Sequence, residues 1–251
     1  MLYVCLPVHN EAATVGVLLW RLRSVLREAG GAGRDYEVVV YDDASTDATA
    51  DVLAPYASVL PLTVLGGAAE APAGASAATA ALLRYVAGQS RYPRRDACVV
   101  IQGDFTEAPE DVPALLAAFD GGADVVVARR PPAEAQDPAE RRLRRLAPWV
   151  LRPLVRVDGV DDLLAGPRLI RVSVARDLVR ARGDAVLAWP GWAGRAELVA
   201  AAVPLARRVA VVDAAASPAV RTRPTRLDWA QELRGVARFA WQARGTRARP
   251  Q

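Results

Sequence analysis

The sequence predicts an α/β protein on a mainly parallel sheet, and three observations carry that expectation. Short, almost wholly apolar runs such as YEVVVYD (36–42) and ACVVIQGD (97–104) recur through the first half of the chain. Segments with apolar residues at i, i+3, i+4 and i+7 alternate with them, and polar or acidic residues crowd the carboxyl ends of several runs. Continuous apolar strands separated by helices belong to a sheet covered on both faces, whose ligands bind beyond the strands' carboxyl ends.

The elements follow in order. LYVCLPV (2–8) reads as the first strand. Val15, Leu18, Leu19, Leu22, Val25 and Leu26 then make a helical stripe closed by Gly30. YEVVVYD is the second strand, and STDATADVLAPYA, with Ser45 and Thr46 as caps, a second helix. LTVLG (62–66) and ASAATAALLRYVAG give a third strand and helix. ACVVIQGD (97–104), APEDVPALLAAF (108–119) and ADVVVARR (123–130) give strand, helix and strand. The second half is less regular. PPAEAQDPAE (131–140) reads as a loop, and the Arg-rich segment 141–156 as a helix interrupted by Pro148 and Pro153. Residues 163–181 suggest a strand then a helix, GRAELVAAAV a short helix, and RRVAVVDAA (207–215) a late strand. LDWAQELRGVARFAWQARG (227–245) reads as an amphipathic helix, and 246–251 as a frayed tail.

The bulk composition excludes several classes. A chain of 251 residues can bury one large core, and we expect one domain over 1–251, with a ligand-binding half at 1–130 and a less regular half at 131–245. Hydrophobic residues at 52% and charged residues at 24% exclude wholesale disorder. No stretch reaches the ~18 uninterrupted apolar residues of a membrane span. The apolar N-terminus reads as a strand and not a leader, so a cytoplasmic protein is expected. Cys5 and Cys98 both sit in strand-like runs and read as buried free thiols, not a disulfide or zinc framework. The net charge is +4, and all 32 Lys/Arg-type residues are arginine, concentrated in 141–156 and after Arg221. Arginine forks suit phosphate, which points to a nucleotide, a lipid phosphate or an anionic membrane surface. A merely solvated helix face is an equal alternative. Nucleic acid is not expected, because only Trp149 interleaves with the cluster.

Three strand ends carry distinctive residues: Pro7-Val8-His9-Asn10-Glu11, Asp42-Asp43-Ala44-Ser45-Thr46-Asp47, and Gln102-Gly103-Asp104. Acids and amides converging at neighbouring strand ends favour a pocket for a nucleotide and a metal. PVHNE, then DDASTD after an apolar strand, then GD with an acidic, proline-containing loop, resembles a family 2 glycosyltransferase of the GT-A fold. The nearest flavour is the polyprenyl-phosphate, dolichol-phosphate mannose synthase-like branch. The likeness covers residues 2–130 well and 155–240 more loosely.

The resemblance implies a Rossmann-like sheet flanked by helices with an acceptor-side half, and an inverting transferase acting on a nucleotide-diphosphate sugar. It implies that Pro7, Val8, Asn10 and Glu11 line the nucleotide pocket, with His9 lining it by position. Asp43 meets the base or ribose, while Ser45 and Asp47 shape that loop. Asp104 matches the second acid of a DxD motif that holds Mg²⁺ or Mn²⁺ against the donor diphosphate. Gln102 stands in the first acid's place and offers only a carbonyl; Gly103 lies between them. Asp162 and Gly166 match an acceptor-side motif, Arg168 and Arg171 follow as phosphate contacts, and Glu197 matches a further acid near the acceptor. Asp162 is the preferred base for a hydroxyl acceptor and Glu197 the reserve; a phosphate acceptor needs none. The acceptor is left as polyprenyl phosphate or a small hydroxyl compound, and 141–156 as a peripheral membrane contact.

Alternatives stay open beside these. Asp43 and Asp47 can form a capping turn, and Asp104 can cap the following helix. Glu107, Glu110 and Asp111 are read as capping residues there. Trp192, near Glu197, is the one tryptophan singled out as a sugar platform. A non-catalytic nucleotide-sugar-binding relative is the second functional reading, because Gln102 weakens the metal motif. A nucleotidyltransferase stands well behind, since PVHNEAAT lacks a glycine-rich basic loop.

Overall fold

The computed structural model describes residues 1–28, 34–67, 70–131, 137–214 and 227–250. Its main sheet joins β1 (Leu2–Val8), β2 (Tyr36–Asp42), β3 (Leu62–Gly66), β4 (Ala97–Val100), β5 (Val125–Arg129), β7 (Arg168–Arg171) and β8 (Val209–Asp213). The spatial order is β3-β2-β1-β4-β7-β5-β8. All neighbours are parallel except β7, which runs antiparallel to both β4 and β5. The expected mainly parallel sheet is therefore present, with one reversed strand inserted. Every residue of β1 is buried. Its side chains alternate between faces: Tyr3 and Cys5 enter one core cluster, and Leu2, Val4, Leu6 and Val8 the other.

Helices cover both faces, as continuous apolar strands require. On one side lie α1 (Val15–Glu28) and α4 (Val112–Asp120), whose Leu18, Leu19, Leu22 and Leu115 are fully buried. On the other lie α3 (Ala75–Gln89), α5 (Pro138–Leu151), α6 (Val172–Arg182), α7 (Gly191–Ala202) and α8 (Trp229–Gln242). The short α2 (Thr49–Leu53) follows β2. The expected stop at Gly30 falls outside the described residues.

Three expectations need correction. The fourth strand does not run to Asp104: β4 leaves β7 after Val100, although Ile101 and Gly103 still donate backbone hydrogen bonds to Cys5 and Pro7 of β1, at 3.0 and 3.3 Å. Pro148 does not interrupt its helix, because α5 continues to Leu151 and Arg152 donates to the Pro148 carbonyl at 3.0 Å. The bond that proline forfeits is offset by burial of Leu143, Ala147 and Leu151. The expected frayed tail contains β9 (Thr246–Ala248), which pairs in parallel with β6 (Val155–Val157). Both cysteines are buried free thiols, and burial pushes Cys98 up to about 12.

Candidate functional site

The carboxyl ends of β1, β2 and β4 meet at one edge of the sheet. Three non-glycine residues there adopt left-handed backbone: Asn10 (φ 54°), Ala44 (φ 55°) and Phe105 (φ 62°). Each such conformation costs about 1–3 kcal/mol and persists where surrounding contacts impose it, commonly at functional sites. Asn10 imposes one of them. Its backbone N–H donates to Ser45 Oγ at 2.8 Å, while its Oδ1 accepts from the Thr46 N–H at 2.7 Å and the Asp47 N–H at 3.2 Å. The first two strand-end loops are thereby stitched together. His9 donates from Nδ1 to the Asp43 carbonyl at 2.7 Å, since a carbonyl only accepts, which leaves Nε2 to accept from the Asn10 amide at 3.3 Å.

The acids of these loops are occupied in definite ways. Glu11 is buried and accepts the Thr14 hydroxyl through Oε2 at 2.7 Å. Asp43 accepts the Ala73 and Gly74 N–H groups at 2.8 and 2.7 Å, tying β2 to the start of α3. Asp47 accepts from the Thr49 N–H at 3.0 Å and the Ala12 N–H at 3.2 Å. Burial alone would raise its carboxyl, but these bonds and the Thr49 hydroxyl hold it below the usual range. Gly103, just beyond β4, packs tightly on the end of β1; a Cβ there would lie 2.8 Å from Val8 Cγ2 and 3.0 Å from the Pro7 oxygen. Asp104 accepts from the Thr106 N–H and hydroxyl through Oδ1, at 3.1 and 2.7 Å.

Two cavities adjoin at this edge. The first, of about 200 Å³, is lined by Pro7, Val8, His9, Glu11, Asp43 and Gly103 among others. The second, of about 240 Å³, is lined by Arg168, Trp192, Arg195, Glu140 and Glu232 among others. Ala75, Gln102 and Asp104 belong to both walls. Among the described residues no three His, Cys, Asp or Glu side chains converge as a protein-built metal cage. A Mg²⁺ or Mn²⁺ site of another kind does fit. Asp104 brings one carboxylate and Gln102, in the same two cavity walls, an amide oxygen, donors that suit a cation whose remaining ligands are water and a diphosphate.

In and beside the second cavity stand roles that sequence patterns did not reveal, those of Glu107, Arg195 and Glu232. Glu107 does not cap a helix; it is 3% exposed and accepts the Gln102 N–H through Oε2 at 3.0 Å. Its Oε1 pairs with Arg195 and lies 4.0 Å from Arg168 Nη1. A Cβ at Gly166 would land on that same oxygen, so the glycine leaves the room this carboxylate occupies. Glu110 and Asp111 make no side-chain cap either, pairing with Arg21 and Arg130 at 2.9 and 3.3 Å. Arg168 is buried, and its guanidinium is pushed down to about 9, first by desolvation and then by the charge of Arg195. The Nε groups of Arg168 and Arg195 are both buried without a hydrogen-bond partner. Arg195 lies over the Trp192 ring at 4.4 Å, so one face of that indole is already covered. Glu232 accepts the Trp192 N–H at 3.0 Å, and burial raises its carboxyl above the usual range.

The remaining residues singled out from sequence lie elsewhere. Asp162 accepts from Arg144 at 2.8 Å and from the Leu164 N–H at 2.9 Å, and lines a separate cavity beside β6. Arg144 is thus internal, unlike the exposed arginines around it. Glu197 is buried, accepting from Ala188 N–H and Trp189 N–H at 2.9 and 3.0 Å and pairing with Arg182. Arg171 does not fit a phosphate contact. Because β7 is reversed, Arg168 pairs with Val100 at the cavity end of β4, whereas Arg171 pairs with Ala97 at the far end. There Arg171 bonds Asp124 and stacks on Phe119 at 4.2 Å.

The family model described as "Glycosyl transferase family 2" matches residues 3–179. An undecaprenyl-phosphate 4-deoxy-4-formamido-L-arabinose transferase of Pseudomonas aeruginosa is 32% identical over 146 residues, 55% of this chain and 38% of the relative. A dolichol-phosphate mannosyltransferase of Pyrococcus furiosus is 29% identical over 127 residues, 51% of this chain and 32% of the relative. The matched region is thus well under half of these relatives' length. Glucosyl-3-phosphoglycerate synthase from Mycobacterium tuberculosis, in complex with phosphoglyceric acid, superposes with a TM-score of 0.60 at 22% identity, covering 98% of this chain and 80% of that one. Another structure of that synthase contains Mn²⁺ and UDP, with a TM-score of 0.54 at 21% identity over 95% of this chain and 75% of that one. The architecture is that of GT-A glycosyltransferases.

Proposed function

The chain belongs to glycosyl transferase family 2, and on that premise we propose that it moves a sugar from a nucleotide-diphosphate sugar to a polyprenyl phosphate. The observation that carries this reading is the pair of adjoining cavities with Gln102 and Asp104 in their common wall. The donor nucleotide occupies the cavity walled by Pro7, Val8, Glu11, Asp43 and Gly103, with Asn10 holding its loops together. The acceptor phosphate meets Arg168 and Arg195, whose side chains line the second cavity. The names of the Pseudomonas and Pyrococcus relatives, both polyprenyl-phosphate enzymes, support the acceptor class, and the UDP-bound neighbour supports the donor class.

The reaction is a single displacement with inversion. An acceptor phosphate oxygen forms the bond to the anomeric carbon as the bond from that carbon to the donor diphosphate breaks. Because that oxygen is already anionic, no general base is needed. Asp162 and Glu197 then serve as positioning residues, the first holding Arg144 and the second the turn at 188–189. Asp104 and Gln102 would hold Mg²⁺ or Mn²⁺ here, and such a cation would supply positive charge against the donor diphosphate. No described helix is long and apolar enough to cross a membrane; in this reading 141–156 contacts the bilayer that carries the lipid acceptor. The test is mass-spectrometric detection of glycosyl citronellyl phosphate, made from a panel of nucleotide sugars and this short water-soluble acceptor. Donor binding without transfer would favour a non-catalytic relative and defeat the enzyme reading.

A further inference from the structure

Resting on a lipid-borne acceptor, we propose that the outer faces of α5 and α8 together form a docking surface for anionic membrane. The two helices run side by side in the same direction. Arg142 of α5 lies over the ring of Trp229, the first residue of α8, at 5.9 Å. At their far ends Gly245 donates to the Leu154 carbonyl at 3.1 Å, and the chains continue into the parallel pair β6 and β9. Both helices bury one face, through Leu143, Ala147 and Leu151 on α5 and Val236, Phe239 and Ala240 on α8.

Their opposite faces repeat one pattern. At steps of three and four, α5 exposes Arg142, Arg145 and Trp149, and α8 exposes Arg234, Arg238 and Trp241. Trp149 at 82% and Trp241 at 62% are the two most exposed large hydrophobic side chains among the described residues. Each indole closes the exposed stripe of its helix shortly before β6 or β9, so the paired helices hold both near one level. Beside them stand Leu146, 40% exposed, and a shallow groove formed by Trp189, Trp241, Arg238 and Arg244. Indoles favour the bilayer interface, and arginines flanking them are drawn to anionic headgroups. Duplex nucleic acid would engage the arginines and leave both indoles in water. The other ends of the same helices reach the acceptor cavity through Glu140 and Glu232. A membrane held on this surface therefore brings lipid phosphate to the mouth of the site.

Co-sedimentation with phosphatidylcholine vesicles, with and without phosphatidylglycerol, tests this. Wild type is expected to bind the anionic vesicles well above the neutral ones. Arg145→Gln with Arg238→Gln should lower that binding about 25-fold, about fivefold for each charge removed. Trp149→Ser with Trp241→Ser should lower it about tenfold. Both double variants should keep the wild-type melting temperature and the wild-type rate of transfer to citronellyl phosphate. Loss of vesicle binding alone thus reports on the surface, and loss of soluble transfer in wild type reports on the chemistry. The proposal is overturned by equal binding to neutral and anionic vesicles, or by variants that bind as wild type does. A tryptophan-dependent dimer in ultracentrifugation with no vesicle binding would also overturn it, assigning the face to a second copy.

Discussion

Glu107→Ala is the substitution that most directly probes how the two cavities are joined. It removes the acceptor of the Gln102 N–H and the counter-charge of Arg195 and Arg168. The side chains of Glu107 and Arg168 are only 4% and 3% exposed, so water cannot replace what is lost. Removing one member of a buried charged group costs about 3–5 kcal/mol, because the partners remain buried and uncompensated. Arg168 is vulnerable in particular, since desolvation and Arg195 already disfavour its cation and Glu107 is the nearest charge favouring it. For a chain of this size the loss corresponds to a melting point about 6–20 °C lower. Glu107→Gln should fall between, restoring an acceptor for Gln102 without the charge. Circular dichroism melts give the stability, and citronellyl phosphate titration should show weaker acceptor binding in both variants. An alanine variant melting within about 2 °C of wild type would refute the bridge as a source of stability.

Other outcomes follow from the same geometry. Gly103→Ala forces a methyl against Val8 and the Pro7 oxygen; we expect about 1–3 kcal/mol of destabilisation in urea melts and weaker nucleotide binding. Asp124 is buried between Arg171 and Arg207. Although burial alone would raise its carboxyl, the Arg207 N–H and the two guanidinium groups hold it below its ordinary value of 3.8. A depressed carboxylate contributes stability that is complete above the unfolded value and lost as pH falls through the folded one. Asp124→Asn should therefore be destabilised at neutral pH, with the gap to wild type closing only below about pH 3.8. Glu197→Gln keeps the acceptor for the 188–189 N–H groups; it should lower the melting point by loss of the Arg182 pair yet leave transfer to citronellyl phosphate largely intact. A collapse of the rate at unchanged stability would return Glu197 to a catalytic role.

The sheet was legible because its strands are short apolar runs with no competing helical period, as in β1 and β2. The reversal of β7 was not, since RLIR has the same pattern of charged ends and apolar centre in either direction and only its partners set its sense. That reversal puts Arg168, and not Arg171, at the cavity end of β4, although sequence had assigned both to phosphate. The short β6 and β9 left no periodic signal, and Pro148 was read as a breaker although tertiary packing carries α5 through it. At the site, PVHNE and QGD pointed to the first cavity because they stand at strand ends. Glu107 escaped because its position, just before a helix, imitates a cap; its partners Gly166, Arg168 and Arg195 are distant in sequence. The one signal for it was Gly166, a glycine with negative φ kept free of a Cβ by that carboxylate.

At the centre of the proposed function, Asp104 would mark a cation-assisted donor site in the wall common to both cavities. Calorimetric titration of UDP into the chain, with and without Mn²⁺, compared with Asp104→Asn, tests it most directly. The account predicts that Mn²⁺ tightens UDP binding to wild type and that this enhancement disappears in the variant at unchanged fold. The same enhancement in Asp104→Asn, or none in wild type, would contradict it.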